Sequence, residues 1–218
     1  MNNFLSPSIL SADFAHLGED IENTKLGGAK YLHYDVMDGM FVPSISFGMP
    51  VLESVRKITD LVLDVHLMIV DPDRYIDEFV RCGADIITVH YEACKDLKQT
   101  IQKIRDKGVK AGVSIKPKTP ISVLTDVLEQ VDMILLMTVE PGFGGQAYIP
   151  ESTQKIQDLR RILTERGLET DIEVDGGIKK NNVQVVLDAG ANVIVAGSAV
   201  YVGDVAQNVR DFMEILNR

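Results

Sequence analysis

Eight short apolar runs, separated by stretches of helical periodicity, constrain this fold more than any other feature of the chain. They lie at Leu5–Ile9, Tyr31–Asp35, Leu61–Met68, Ile86–His90, Lys110–Ile115, Met133–Met137, Ile172–Val174 and Val193–Ala196. The intervening segments repeat apolar residues three and four apart, as in Asp96–Lys107, where Leu97, Ile101 and Ile104 share a face. Strands alternating with helices predict a parallel sheet, since each crossover helix returns the chain to the same sheet end. Gly28-Ala29-Lys30, Gly83-Ala84-Asp85 and Gly190-Ala191-Asn192 precede runs two, four and eight, and Gln130-Val131-Asp132 before run six reads as a worn copy. The spacing fits multiples of a unit of about 27 residues. A left-handed glycine there closes a helix and turns the chain back, although Gly-Ala after a helix is common enough to arise without a repeat.

Polar residues end runs two, three, six, seven and eight. In a closed barrel those ends meet at one mouth, whereas an open sheet spreads them along an edge with a single crevice. The expected fold is therefore α/β, a (β/α)8 TIM barrel forming a single domain over residues 1–218, short for that architecture. With 45% hydrophobic and 25% charged residues, a packed core is expected rather than disorder.

The 22 basic and 32 acidic residues give a formal charge of -10, and no basic run offsets it, which argues against nucleic acid as a partner. A phosphorylated metabolite stays open provided a local site holds it. The apolar runs are too short to cross a bilayer. The first residues have no basic segment followed by a long apolar one, and Cys82 and Cys94 form no spaced pattern, so a cytoplasmic location is expected.

His33 and Asp35 lie two apart on one face of run two, His66 lies in run three, and Asp175 follows run seven. Facing one mouth, they would make a His2Asp2 site suited to Zn, Fe2+, Mn or Co. From spacing alone a hydrogen-bonded polar core remains equally open. Three glycine loops follow runs six, seven and eight, at Gly142-Phe143-Gly144-Gly145, Gly176-Gly177 and Gly197-Ser198. Backbone N–H groups in such loops approach anions closely, and three together favour a phosphate over isolated tight turns. Met37, Met68 and Met137 fall near the proposed ligands, where spacing favours simple core filling. His16 reads as a surface residue and His90 as structural or supporting.

At this point the motifs resemble the ribulose-phosphate 3-epimerase family. They are Ser6-Pro7-Ser8-Ile9-Leu10-Ser11-Ala12-Asp13, His33-Tyr34-Asp35-Val36-Met37-Asp38-Gly39, Phe41-Val42-Pro43 and His66-Leu67-Met68. The second half adds Gly83–His90, Val139–Gln146, Glu173–Ile178 and Val195–Ala199, all in order from Ser6 to about Tyr201. The resemblance implies a ribulose-phosphate-binding barrel that interconverts D-ribulose 5-phosphate and D-xylulose 5-phosphate at C3 through a cis-enediolate, in the pentose phosphate pathway. It implies one divalent metal ion on His33, Asp35, His66 and Asp175, with no organic cofactor. It further implies that Asp35 and Asp175 double as acid/base groups on opposite faces. By the same resemblance Ser8, His66, Asp175 and the loops Gly142–Gly145, Gly176–Gly177 and Gly197–Ser198 would contact the ketose phosphate, and Met37, Met68 and Met137 would cap the intermediate. A homo-oligomer is expected.

Met40 and Ser44 depart from the family pattern, which keeps a related substrate such as D-allulose 6-phosphate open. Tyr34 departs too, but should point away from the ligand face. A phosphate-binding lyase or decarboxylase would call for a lysine, which the quoted motifs lack. A non-catalytic sugar-phosphate binder would not require the pair Asp35 and Asp175.

Overall fold

The computed structural model describes residues 2–218. Eight parallel strands run β1 (Phe4–Pro7), β2 (Tyr31–Met37), β3 (Val62–Met68), β4 (Ile86–His90), β5 (Lys110–Ile115), β6 (Met133–Met137), β7 (Asp171–Asp175) and β8 (Val193–Ala196). Each pairs with its sequence neighbour from β2 through β8, and β8 pairs with β1. A parallel bridge between Ser8 and His33 closes the ring between β1 and β2. The expected barrel is present.

Two strand ends differ from the sequence expectation by two residues, and the starts of β1 and β3 and both ends of β7 by one. β1 stops at Pro7 because Ser8 caps a 3-10 turn at Ile9–Ser11, its Oγ accepting the Leu10 N–H. β2 continues past Asp35 to Met37, paired with Met68. The helices are α1 (Leu17–Leu26), α2 (Met49–Ile58), α3 (Ile76–Arg81), α4 (Leu97–Asp106), α5 (Ser152–Glu165), α6 (Val183–Asp188), α7 (Ser198–Tyr201) and α8 (Val205–Leu216). In α4, Asp96 caps the Gln99 N–H at 3.1 Å, a contact worth about 1 kcal/mol. Ile101 and Ile104 are fully buried against the barrel, each stabilising by about 1.5–3 kcal/mol.

Between β5 and β6 there is no α-helix, only the 3-10 turn Ile121–Leu124. Pro117 and Pro120 remove donors there. Lys155 of α5 donates through Nζ to the carbonyls of Lys116 (2.9 Å), Pro117 (3.1 Å) and Thr119 (2.6 Å). Burial pushes that ammonium down to about 8.

The glycine repeat has a physical basis. Gly28, Gly83 and Gly190 hold φ of 102°, 102° and 108°, and the next alanine N–H reaches back to Thr24, Phe79 or Val186 across the helix end. The third residue of three units then binds the preceding strand. Asp85 accepts the Leu63 N–H at 2.8 Å, Asp132 the Ala111 N–H at 2.9 Å and Asn192 the Ile172 N–H at 2.9 Å, and each returns its own N–H to the same residue. The copy at Gln130-Val131-Asp132 has lost the glycine and kept the strand-binding acid.

Residues two apart divide the barrel inside from outside. On β2, Leu32, Tyr34 and Val36 join the outer core under the helices, and Tyr34 donates its hydroxyl to Gly48 O at 2.8 Å, away from the ligand face as expected. Tyr31, Ile86, Met133 and Val193 form an apolar plug at the bottom, with Phe4 stacked on Tyr31. His33 and Asp35 occupy the next levels upward.

Substituting the repeat glycines separates backbone strain from crowding. Both sites force an L-residue into positive φ, but a Cβ at Gly28 meets nothing, while one at Gly190 falls 2.6 Å from Arg160 Cγ. Arg160 is pinned there by its Nε–H bond to Gly190 O at 2.9 Å. Denaturant unfolding should give a loss of about 1 kcal/mol for Gly28→Ala and about 2–3 kcal/mol for Gly190→Ala. Equal losses would mean that the Arg160 side chain yields without cost.

Candidate metal centre and active site

The register of β2 on β3 sets Asp35 opposite His66 and His33 opposite Asp64. At the upper level, Asp35 Oδ1 lies 3.0 Å from His66 Nδ1 and 3.3 Å from His33 Nε2. Asp175 enters from β7 with Oδ2 at 3.9 Å from His66 Nδ1. One ligand-type atom from each of His33, Asp35, His66 and Asp175 lies within 4.8 Å of all the others. The structure thus assembles the four residues that the sequence scattered over three strands. Ser8 Oγ donates to the other Asp35 oxygen at 2.5 Å, fixing the carboxylate plane.

Below lies a second set of polar groups. His33 Nδ1 sits 2.8 Å from Asp64 Oδ2 and 3.4 Å from Glu173 Oε1, and Ser6 Oγ donates to Asp64 Oδ2 at 3.0 Å. All are buried. An ionised carboxylate only accepts, so the Asp64 contact places a proton on His33 Nδ1. That leaves Nε2, buried and without a hydrogen-bond partner, facing Asp35. A nitrogen lone pair held against carboxylates in a buried site needs a positive charge between them. The residues therefore fit a divalent cation, and the mixed imidazole and carboxylate donors suit a first-row ion.

Without a cation, a proton on His33 meets the same need for positive charge. Burial opposes charge on His33, but Asp35, Asp64 and Glu173 outweigh it and raise the imidazolium pKa well above its ordinary value. Burial also opposes ionisation of Asp35, yet His33 and His66 hold that carboxyl well below the usual range. Asp175 moves oppositely, pushed up to about 6 by burial and the neighbouring Asp35 charge. Glu173 is raised well above its ordinary value by burial and by Asp64.

Above this cluster opens a pocket. Asp35 and Asp175 reach its floor, while His33 and His66 lie fully buried, His66 included although it was expected to touch substrate as well. Ser8, Gly142, Phe143, Gly144, Gly145, Gly176, Gly177, Gly197 and Ser198 all line the wall. Met37 and Met68 pack together with Val42 on one side, and Met137 packs with Leu135 and Val139 on another, all three facing the pocket. The loops interlock tightly. A Cβ at Gly177 would fall 2.3 Å from Tyr148 N, and one at Gly197 2.5 Å from Ser11 Oγ. The Gly177, Gly197 and Ser198 N–H groups donate to no other backbone group among the described residues.

Period-two reasoning applied to β3 and β7 would have found Asp64 and Glu173, which stand two before His66 and Asp175. Lys179 also lines the pocket, exposed, just beyond the Gly176-Gly177 motif. The quoted motifs ended one residue short of it, so the lack of a lysine no longer separates this chain from a lyase. Met40 is 80% exposed, and neither it nor Ser44 lines the pocket. His16 is exposed and pairs with Asp13 at 2.9 Å. Among the described residues no helix is long and apolar enough to cross a membrane.

A model of the ribulose-phosphate 3 epimerase family matches residues 4–201. The chain belongs to the ribulose-phosphate 3-epimerase family. It is 54% identical over 198 residues to the ribulose-phosphate 3-epimerase of Bacillus subtilis, covering 90% of this chain and 91% of that one. The Synechocystis enzyme of the same name is 52% identical over 92% of this chain and 88% of its own. The Escherichia coli one is 46% identical over 90% and 88%. Solved structures share the fold at much lower identity. KGPDC from Streptococcus mutans superposes with a TM-score of 0.73 at 15% identity, covering 100% of this chain and 99% of that one. A tryptophan synthase alpha-subunit mutant from Pyrococcus furiosus does so at 0.71 and 16%, covering 100% of each.

A metal ion entering this cluster competes with protons for imidazole and carboxylate. Zn2+ uptake should release protons, and apparent affinity should weaken as pH falls. Calorimetry in buffers of different ionisation enthalpy measures both. Asp64→Asn, which disturbs the partner of His33, should weaken Zn2+ binding about 10–100-fold.

Proposed function

We propose that this chain interconverts D-ribulose 5-phosphate and D-xylulose 5-phosphate by moving the proton at C3. The observation that carries the reading is the placement of two carboxylates of opposite tendency, Asp35 and Asp175, on the floor of a glycine-walled pocket. Family membership over residues 4–201 supports the substrate.

Epimerisation beside the C2 ketone needs a proton taken from one face of C3 and another returned to the opposite face. Asp35 and Asp175 come from strands separated by β1 and β8, which suits one group per face. Asp35 is held ionised and suits the base. Asp175 carries its proton more readily and suits the acid. The carboxylate removes the C3 proton, leaving an enediolate. The carboxylic acid then protonates C3 from the other side, and in the reverse direction the roles exchange. The Ser8 hydroxyl keeps the Asp35 carboxylate oriented. A divalent cation on His33, Asp35, His66 and Asp175 would, when bound, stabilise negative charge on the sugar oxygens. The free N–H groups at Gly177, Gly197 and Ser198 suit the phosphate, with Lys179 adding positive charge at the rim. Anchoring that end sets C3 between the carboxylates. Met37, Met68 and Met137 exclude water with soft, polarizable surface.

A panel of pentulose and hexulose phosphates, assayed after chelation and metal add-back, tests the reading. D-ribulose 5-phosphate should lead the panel. Activity should vanish on exhaustive chelation and return with a first-row divalent ion. In heavy water the product should gain deuterium at C3 within one turnover, ahead of recovered substrate. Asp175→Asn should lower kcat by about 10²-fold or more, with metal content measured alongside because the residue is also a proposed ligand. Product free of solvent deuterium, or near-normal turnover by Asp175→Asn, would overturn the two-carboxylate mechanism. Removing the phosphate should cost kcat/KM, because the binding energy of that end is lost.

A further inference from the structure

His66 reaches the cluster through Nδ1, and its other nitrogen points the opposite way, to His90. His66 Nε2 lies 2.9 Å from His90 Nε2, with the two rings stacked at a centroid distance of 5.0 Å. His90 Nδ1 lies 3.2 Å from Glu92 Oε2. The other Glu92 oxygen accepts the Lys116 N–H at 2.9 Å and the Thr119 hydroxyl. Both imidazoles are fully buried, and Phe41 covers His90 with ring centroids 4.8 Å apart.

Counting protons along this chain gives it a direction. Glu92 takes two donors on Oε1, and its Oε2 can only accept, so His90 carries hydrogen on Nδ1. The 2.9 Å contact between the two Nε2 atoms holds one hydrogen. If His90 owned it, a fully buried ring would carry both protons, and His66 would be left with its hydrogen on Nδ1, aimed at Asp35 and blocking ligation. If His66 owns it, Nδ1 is bare and faces Asp35 Oδ1 at 3.0 Å, lone pair against lone pair, an arrangement that a cation between them relieves, as at His33 Nε2. Ligating histidines are commonly oriented in this way by an acceptor on the far nitrogen.

We propose that His90 and Glu92 are positioning residues that hold His66 as the Nε2–H tautomer, so that Nδ1 serves as a metal ligand. The relay mirrors Asp64, which does the same for His33 by taking Nδ1–H and baring Nε2. The two histidines therefore present different ring nitrogens, and each is set by a carboxylate: Asp64 directly, Glu92 through one intervening imidazole. Glu92 is tied by Lys116 and Thr119 to the loop after β5, the same loop that Lys155 gathers through three carbonyls. The segment without an α-helix thus fixes the orientation of a group at the barrel centre.

This inference rests on the reading of His33, Asp35, His66 and Asp175 as a metal site, and the test separates the two. Zn2+ affinity is measured by competition with a chromophoric chelator, with folding followed by circular dichroism and thermal unfolding. His90→Phe keeps a buried ring and removes the acceptor, and should weaken Zn2+ binding about 10–100-fold with the fold retained. His90→Gln restores an acceptor toward His66 and should recover most of the loss. If His90→Phe does not fold, Glu92→Ala serves instead, with a loss of about tenfold expected. In the Zn2+-loaded wild type, long-range 1H–15N spectra should show His66 protonated at Nε2. Normal Zn2+ affinity in folded His90→Phe or in Glu92→Ala, or a His66 hydrogen on Nδ1, would overturn the relay alone. A wild type that binds no Zn2+ would overturn the metal site and the relay together.

Discussion

The parallel register between β2 and β3 is the constraint on which the site depends. It sets His33 beside Asp64 and Asp35 beside His66, one level apart. Side chains on a strand alternate faces, so a slip of one residue would exchange the whole inner row for the outer one. Leu32, Tyr34 and Val36 would then fill the barrel, and His33 and Asp35 would lie under the helices. Each helix-facing row is wholly apolar apart from the Tyr34 hydroxyl, which has its own acceptor at Gly48. The register is thus held from outside by hydrophobic burial, and the polar interior inherits its geometry.

That interior is costly. Asp35, Asp64, His33, His66, His90 and Glu173 are all buried, where an unpaired charge would cost several kcal/mol. Three devices limit the cost. Burial and the Asp64 charge favour the protonated form of Glu173, which eases repulsion within that pair. Each histidine gives a ring N–H to a carboxylate or imidazole partner: His33 to Asp64, His66 to His90 and His90 to Glu92. Hydroxyls from Ser6 and Ser8 satisfy further carboxylate oxygens. The apolar plug of Tyr31, Ile86, Met133 and Val193 seals the bottom, so the polar column opens only toward the pocket. Such a column is a poor way to stabilise a barrel and a good way to hold a cation.

The fold was legible because its signals are local and repeated. Eight apolar runs and the glycine closures before β2, β4 and β8 report on short stretches of chain. The missing helix after β5 escaped because its replacement, the Lys155 ammonium, comes from a distant element. The four proposed ligands and the three glycine loops of the pocket could be read from strand ends, whereas Leu10 and Ser11, which also line it, were not singled out. Asp64 and Glu173 carried the same two-residue signal and were passed over because buried carboxylates are rare enough to be assumed exposed. His90 was legible only as a supporting residue. Its role depends on which nitrogen faces which neighbour, and that is settled by three-dimensional packing. Lys179 was missed by a motif boundary, one residue beyond the glycines that define the loop.

The charge of -10 looks unsuited to an anionic substrate, and the structure shows how the conflict is confined. At physiological ionic strength the screening length is about 8 Å, so carboxylates scattered over the helices are largely hidden from a ligand inside the mouth. On the proposed reading, a phosphate would meet instead the local wall: the N–H groups of Gly177, Gly197 and Ser198, and the Lys179 ammonium at the rim. The two carboxylates at the floor are a more serious opponent because they are close and poorly screened. Ser8 already donates to Asp35, and burial raises Asp175 toward neutrality, so the floor presents less than two full negative charges. A cation among the same residues would offset them further. In the proposed mechanism, the groups that prepare the floor for proton transfer are therefore also those that would let an anion approach it, and the acidic exterior can vary without disturbing either.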